Sequence, residues 1–158
     1  MIDEPQEPPT GTQGDDPTEV ADSPVEWIND HIQQYVETGG AEGADYLGYR
    51  ALLLTTVGRR SGLRRRTALY YGRDGDDYLV VASRGGDPNH PAWYLNLDAN
   101  PEVEVQVDGD VFAAEARTVE GAERPRLWKL MVKTFPRYAE YQEKTTRQIP
   151  VVVLRRVV

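Results

Sequence analysis

The hydrophobic period of this chain changes near residue 49. Upstream, Ile28, His31, Ile32, Tyr35 and Val36 recur at three- and four-residue steps, the spacing of one helix face. Ser23-Pro24-Val25-Glu26 reads as a capping box with Pro at the first helical position and Glu at the third, and Gly39-Gly40 supply the stop. Downstream, residues 51–57 (ALLLTTV) predict a buried strand, with residues 66–72 as its neighbour across Ser61-Gly62. Arg73-Asp74-Gly75-Asp76 reads as a tight turn into a third strand, Tyr78 to Ala82. EVEVQV, residues 102–107, alternates strictly and sets Val103, Val105 and Val107 on one face. Asp108-Gly109 then turns the chain into a strand over Val111 to Val119. Helical spacing returns at roughly 122–134, where Leu127, Trp128, Leu130 and Met131 form a core-facing stripe. A further helix starts at Pro136, and residues 149–157 (IPVVVLRRV) form the last strand.

Some six short, mostly antiparallel strands with three or four helices around them define a mainly β, α+β fold. Its natural solution is a closed or nearly closed β-barrel. There are no internal repeats, no GxxxxGK[ST] loop and no βαβ dinucleotide fingerprint.

Composition divides the chain. Residues 1–24 hold seven acids (Asp3, Glu4, Glu7, Asp15, Asp16, Glu19, Asp22), five prolines and no Lys or Arg. They carry −7 of the net −8, which leaves the body, residues 25–158, near −1. A segment this polar cannot bury enough surface to offset its ordering entropy, so residues 1–24 are expected to be a disordered tail. The tail is not a signal peptide, no apolar run approaches the length of a membrane span, and there is no cysteine. A cytoplasmic protein fits, with a peripheral place at the inner membrane face as the lesser option. The helix before Gly39 carries Glu26, Asp30 and Glu37 without a basic residue, which favours packing on the barrel or a partner over an anionic membrane.

Against that neutral body stands LLTTVGRRSGLRRRTALYY, with five arginines between Arg59 and Arg66. Three readings compete: a solvated hairpin tip, nucleic acid, or a compact anionic ligand. Nucleic acid needs a broader basic surface with interleaved aromatics, which this body lacks. For a compact anion, Gly58 and Gly62 allow close backbone approach, and guanidinium forks suit phosphate and carboxylate. Strand alternation puts Arg64 and Arg66 on one side and Arg65 on the other, so they do not all serve one ligand. VASRGGDPNHPAWYLNL, residues 81–97, points the same way. A strand ends at Ser83-Arg84, Gly85-Gly86 follow, and Pro91 reads as the first position of a short helix. A Gly-rich loop running into a helix N-terminus suits an anion, and Trp93 and Tyr94 stand ready to wall an aromatic ring.

Together TTVGRRSGLRRRTALYY, VASRGGDPNHPAWYLNLDANPEVEV and TFPRYAEYQEKTTRQIPVVVL resemble the deazaflavin-dependent nitroreductase family, small split-barrel oxidoreductases that use coenzyme F420. The match runs from about residue 48 to 155. The resemblance implies a split β-barrel of the FMN-binding type with the cofactor in a groove beside it. It implies that Arg60 and Arg65, with Arg59 and Ser61 adjacent, hold the phosphate and oligoglutamate tail. Ser83, Arg84, Gly85 and Gly86 would run along the deazaflavin, with Trp93 and Asn96 near the same cofactor. Ala92, Phe135, Tyr138 and Tyr141 would line the substrate side.

The sequence departs from the family pattern where lysines are usual, at Arg60 and Arg84. It departs also at Thr67-Ala68 in place of Asn-Pro, at Ala92 where a bulky residue is common, and at Phe135 where some members have tyrosine. These changes bear on substrate choice more than on cofactor. The implied activity is hydride transfer from reduced F420 to a small electron-poor acceptor: a quinone, a nitroaromatic or an activated enone. Tyr138, then Tyr141, then Ser83 are the candidate donors to the oxyanion so formed; for the tyrosines core packing is an equal reading, and for Ser83 a cofactor hydrogen bond is the better one. His90 lies beside the cofactor loop, His31 on a helix face, and no residues have metal-ligand spacing. FMN-dependent chemistry on the same fold, and a non-catalytic F420 carrier, are the rival expectations. A monomer is slightly favoured.

Overall fold

The computed structural model describes residues 20–21, 45–46 and 49–157, with side chains from Arg50 onward. The absence of alternation in ALLLTTV has a simple cause. Strand β3 (Tyr49–Val57) is covered on both faces, with Leu52 and Leu54 in one core and Ala51 and Leu53 in another. The other strands are β1 (Val20–Ala21), β2 (Asp45–Tyr46), β4 (Arg64–Tyr70), β5 (Gly72–Asp74), β6 (Asp77–Val81), β7 (Glu102–Val107), β8 (Asp110–Thr118) and β9 (Val151–Arg156). Three helices accompany them, α1 (Ala92–Ala99), α2 (Glu123–Thr134) and α3 (Arg137–Glu143).

The main row runs β4-β3-β7-β8-β9-β6-β5, antiparallel at every pairing. Its two ends, β4 and β5, are separated in the chain only by Tyr71, so the sheet curls back on itself. β2 pairs with β3, and β1 lies parallel to β4 with Val20 opposite Arg64 and Ala21 opposite Arg65. That two-residue strand falls within the segment expected to be a disordered tail. The rest of the segment, and the helix predicted from Ser23 to Val36 with Trp27 and His31, lie outside the described residues.

Two cores follow from the pleat. The inner one fills the barrel with Leu52, Leu54, Leu69, Val80, Val105 and Leu154, and α1 closes one end of it with Trp93 and Leu97. The outer one packs Leu53, Tyr70, Leu79, Val151 and Val153 beneath Leu127 and Met131 of α2 and Tyr138 of α3. Leu127 and Met131 are fully buried, each contributing about 2 kcal/mol of apolar burial. Gly72 explains how α2 comes so close: a Cβ there would stand 2.6 Å from the Met131 sulfur. On β7 the alternation persists, because Val103 and Val105 enter the barrel while Glu102 and Glu104 face outward.

Beyond residue 49 predicted and observed elements agree to within about two residues, except for β5, which takes up part of the expected turn at 73–76, and β1 and β2 were not expected; two shifts are instructive. The strand expected over 66–72 starts at Arg64 and breaks at Tyr71, where the chain turns the barrel corner and the Tyr71 amide donates to the Arg50 carbonyl at 3.2 Å. Pro91 is the N-cap of α1 and not its first residue, since its ψ of 152° is extended.

Candidate functional site

The arginine hairpin and the glycine loop sit at one end of the barrel, where β3 and β6 finish and β4 and β9 begin. The hairpin is closed by the Gly58 amide donating to the Leu63 carbonyl at 2.7 Å and the Gly62 amide donating to the Gly58 carbonyl at 2.8 Å. Gly62 has φ +72°, which a side chain would strain. Ser61 Oγ accepts from the Leu63 amide at 3.1 Å. Arg60, at the tip, is exposed and makes no hydrogen bond or ion pair among the described residues.

Arg59 behaves differently. Its amide and its Nη1 both donate to Asn96 Oδ1, at 3.1 and 3.0 Å, and Asn96 Nδ2 reaches Thr56 Oγ1 at 3.4 Å. Asn96 is 1% exposed. It is a buried bridge that ties the hairpin to α1, so its reach toward a ligand runs through Arg59. The three strand arginines divide as alternation predicts. Arg64 donates to Glu104 at 3.0 Å on the outer face of the sheet, whereas Arg65 is buried at 4% exposure, opposite Thr56.

The second loop is backbone-driven. Arg84, Gly85 and Gly86 form a single 3-10 turn with φ of 45°, 64° and 87°, three left-handed residues in succession. For Arg84 that conformation costs about 1 kcal/mol or more. The Gly86 amide donates to the Ser83 carbonyl at 2.9 Å, and Arg84 pairs with Asp87 at 3.8 Å. Around Gly85 a Cβ would meet nothing within 4 Å, so that side of the loop is open. Ser83 is fully buried.

Trp93 and Ala92 are buried at the start of α1. Trp93 sits in the inner core, with no hydrogen-bond partner for its Nε1 among the described residues. Phe135, Tyr138 and Tyr141 belong to the outer core. Ring centroids lie 5.1 Å apart for Tyr70–Phe135, 4.8 Å for Phe135–Tyr138 and 6.4 Å for Tyr138–Tyr141. Tyr138 and Tyr141 share a face of α3 as expected, and both rings contribute to packing. The helix carrying them touches the glycine loop, at Gly86 against Tyr141.

One residue escaped the sequence reading. Arg147, before β9, reaches Ala82, Ser83, Asp87 and His90, which are 57 to 65 positions away in the chain. TTRQIP gives no local signal for this, since the contact exists only once β6 and β9 pair. His90 packs against Tyr94 with the ring centroids 4.9 Å apart and tilted by 53°, and burial, then the Arg147 charge, push its pKa below the usual imidazole value against a weaker opposing pull from Asp98.

The residues fit a ring with a polyanionic tail. They offer an exposed Arg60 beside Arg59, an open glycine loop, and a buried indole N–H with no acceptor among the described residues. At the far end of the barrel Arg155 pairs with Asp77 and Arg156 with Asp110.

A curled antiparallel sheet with glycine–arginine loops at one end and helices over one face is a split β-barrel of the redox-cofactor class. Residues 27–156 match the model of the family described as F420H(2)-dependent quinone reductase, so the chain belongs to that family. Over 136 residues it is 48% identical to F420H(2)-dependent quinone reductase Rv1261c of Mycobacterium tuberculosis strain H37Rv, covering 84% of this chain and 91% of that protein. A solved structure described as an F420-H2 dependent reductase, FDR-A, is 47% identical with a TM-score of 0.62, covering 66% of this chain and 93% of that one. Another, described as a domain-swapped dimer, is 42% identical with a TM-score of 0.66, covering 84% and 100%. The slight preference for a monomer therefore finds no support. Among the described residues no helix is long and apolar enough to cross a membrane.

Proposed function

We propose that this chain oxidises reduced F420 in the cytoplasm and delivers the hydride to a small planar acceptor, quinones first, then nitroaromatics and activated enones. The observation that carries the reading is the Asn96 bridge. It joins the arginine hairpin, suited to phosphate and carboxylates, to the helix that follows the glycine loop, suited to a ring. Bound F420H2 supplies a hydride, as its family requires.

The chain's own residues bind, orient and stabilise. Arg60, with Arg59, Ser61 and Arg65, holds the anionic tail. Ser83, Arg84, Gly85 and Gly86 lie along the ring, backed by Trp93 and Asn96. Ala92 and Phe135 shape the acceptor side, and the hydroxyl of Tyr138, then Tyr141, donates to the acceptor oxygen as it gains charge. Ser83 is the remaining donor, to cofactor or acceptor.

The test is a fluorescence titration with F420 and, separately, FMN at two salt concentrations, followed by anaerobic oxidation of reduced F420 with an acceptor panel. Tight, salt-sensitive F420 binding and turnover with quinones are expected. Preference for FMN, or binding without turnover by any acceptor, overturns the reading in favour of a flavin enzyme or a carrier.

A further inference from the structure

Arg147 gathers the backbone of the glycine loop onto one side chain. Its Nε donates to the Asp87 carbonyl at 2.8 Å, Nη2 to the Ser83 carbonyl at 2.8 Å and Nη1 to the Ala82 carbonyl at 3.1 Å. Nη1 also lies 3.0 Å from His90 Nδ1. A guanidinium is rigid and planar and carries five donors in fixed directions, so three carbonyls satisfied together are locked relative to one another. A lysine ammonium is a point donor and does not reproduce that fork.

The loop needs such a hold. Three consecutive residues, Arg84 to Gly86, are left-handed, and local preference does not favour that run. The same contacts set the peptide planes. Because a trans peptide points its carbonyl and its N–H in opposite directions, anchoring the Ala82 and Ser83 carbonyls on Arg147 turns the amides of Ser83 and Arg84 away from it. The other side of the strand end is fixed too, since the Ala82 amide donates to the Pro150 carbonyl at 2.9 Å.

We propose that Arg147 is the positioning residue of the cofactor loop, holding Ala82 to Asp87 in the ligand-ready shape before cofactor arrives. The inference rests on the assignment of Ser83–Gly86 to the deazaflavin. Because the guanidinium is a donor only, His90 Nδ1 is the acceptor, and burial first, then the Arg147 charge, hold that imidazole's pKa below its usual value. Tyr94 packs against the same ring at a tilt, and Asp98 on α1 is the nearby acid.

The full chain, Arg147→Lys and Arg147→Gln are compared by F420 titration, by acceptor kinetics and by amide NMR. Both variants should bind F420 about tenfold or more weakly, the scale of one lost charged hydrogen bond, with acceptor KM unchanged. In Arg147→Gln the His90 ring should titrate at higher pH than in Arg147→Lys, which keeps the cation, whereas general loosening would raise it alike in both. Wild-type affinity in both variants overturns the proposal. Should the variants not fold, the parent protein decides: the Arg147 Nε–H must be protected from water exchange without cofactor, and rapid exchange overturns it. The loop assignment is read separately. If F420 leaves the amides of Ser83 to Gly86 in the parent unshifted, that assignment fails; if they shift and the Arg147 variants bind normally, only the positioning role fails.

Discussion

Gly86 rests on the backbone of Tyr141: a Cβ at Gly86 would lie 2.8 Å from the Tyr141 carbonyl oxygen. The glycine loop and α3 are thereby in direct contact, with no side chain between them. Lys144 Cβ, 3.0 Å from the same point, closes the other side of the seat. A backbone oxygen on a packed helix has little room to yield, so the two elements move together or not at all.

Gly86→Ala and Gly85→Ala should therefore separate. Both residues are left-handed, so each substitution carries a conformational cost of about 1 kcal/mol. Only at Gly86 is there also a clash. Gly86→Ala is expected to lose about 2–3 kcal/mol in denaturant unfolding and to weaken F420 binding, with Gly85→Ala near the lower figure. Equal losses would mean the seat on Tyr141 gives way freely.

Arg60 and Arg64 are four apart and have different fates. Arg60→Ala removes an exposed cation that has no partner among the described residues, so F420 affinity should fall about tenfold or more, its salt dependence should shrink, and the melting temperature should hold. Arg64→Ala removes a half-exposed pair with Glu104 on the outer face, and should change affinity little. Titrations at two ionic strengths distinguish them.

Asn96→Ala deletes the acceptor shared by the part-buried Arg59 amide and guanidinium. A stability loss of about 1–3 kcal/mol is expected, together with weaker F420 binding, because the hairpin loses its tie to α1. Denaturant midpoints paired with cofactor titrations measure both.

Tyr138→Phe tests hydroxyl against ring. Phenylalanine preserves the packing on Phe135, so the fold should be retained while kcat with a quinone falls about a hundredfold if the hydroxyl donates to the acceptor. Unchanged kcat would assign Tyr138 to the core alone and pass the donor role to Tyr141 or Ser83.

The depressed pKa of His90 fixes the sign of a pH effect. The folded state binds this proton less readily than the unfolded state, so the associated stability is complete above about pH 6.5 and is lost as pH falls through the lowered folded value. Protonation also removes the acceptor for Arg147. Loop amide protection and F420 affinity should both decline on acidification in that window, and His90→Gln should flatten the decline.

The sequence by itself determined most of the elements beyond residue 49 and marked out the arginine hairpin and the glycine loop. EVEVQV could only be a strand with one wet face, and the Leu127–Met131 stripe could only be a packed helix, because period and polarity are local properties. The family-specific motifs carried the glycine loop and the arginine hairpin for the same reason, each being contiguous. Tertiary structure decided what each residue does there. ALLLTTV shows no period because two cores cover β3, and alternation vanishes when neither face meets water. Asn96 became a bridge and Arg64 an outer-face ion pair through contacts across the barrel, and Arg147 entered the site across more than fifty residues of chain. A guanidinium's partners are set by which strands pair, and strand pairing is a property of the closed sheet, which no stretch of sequence contains.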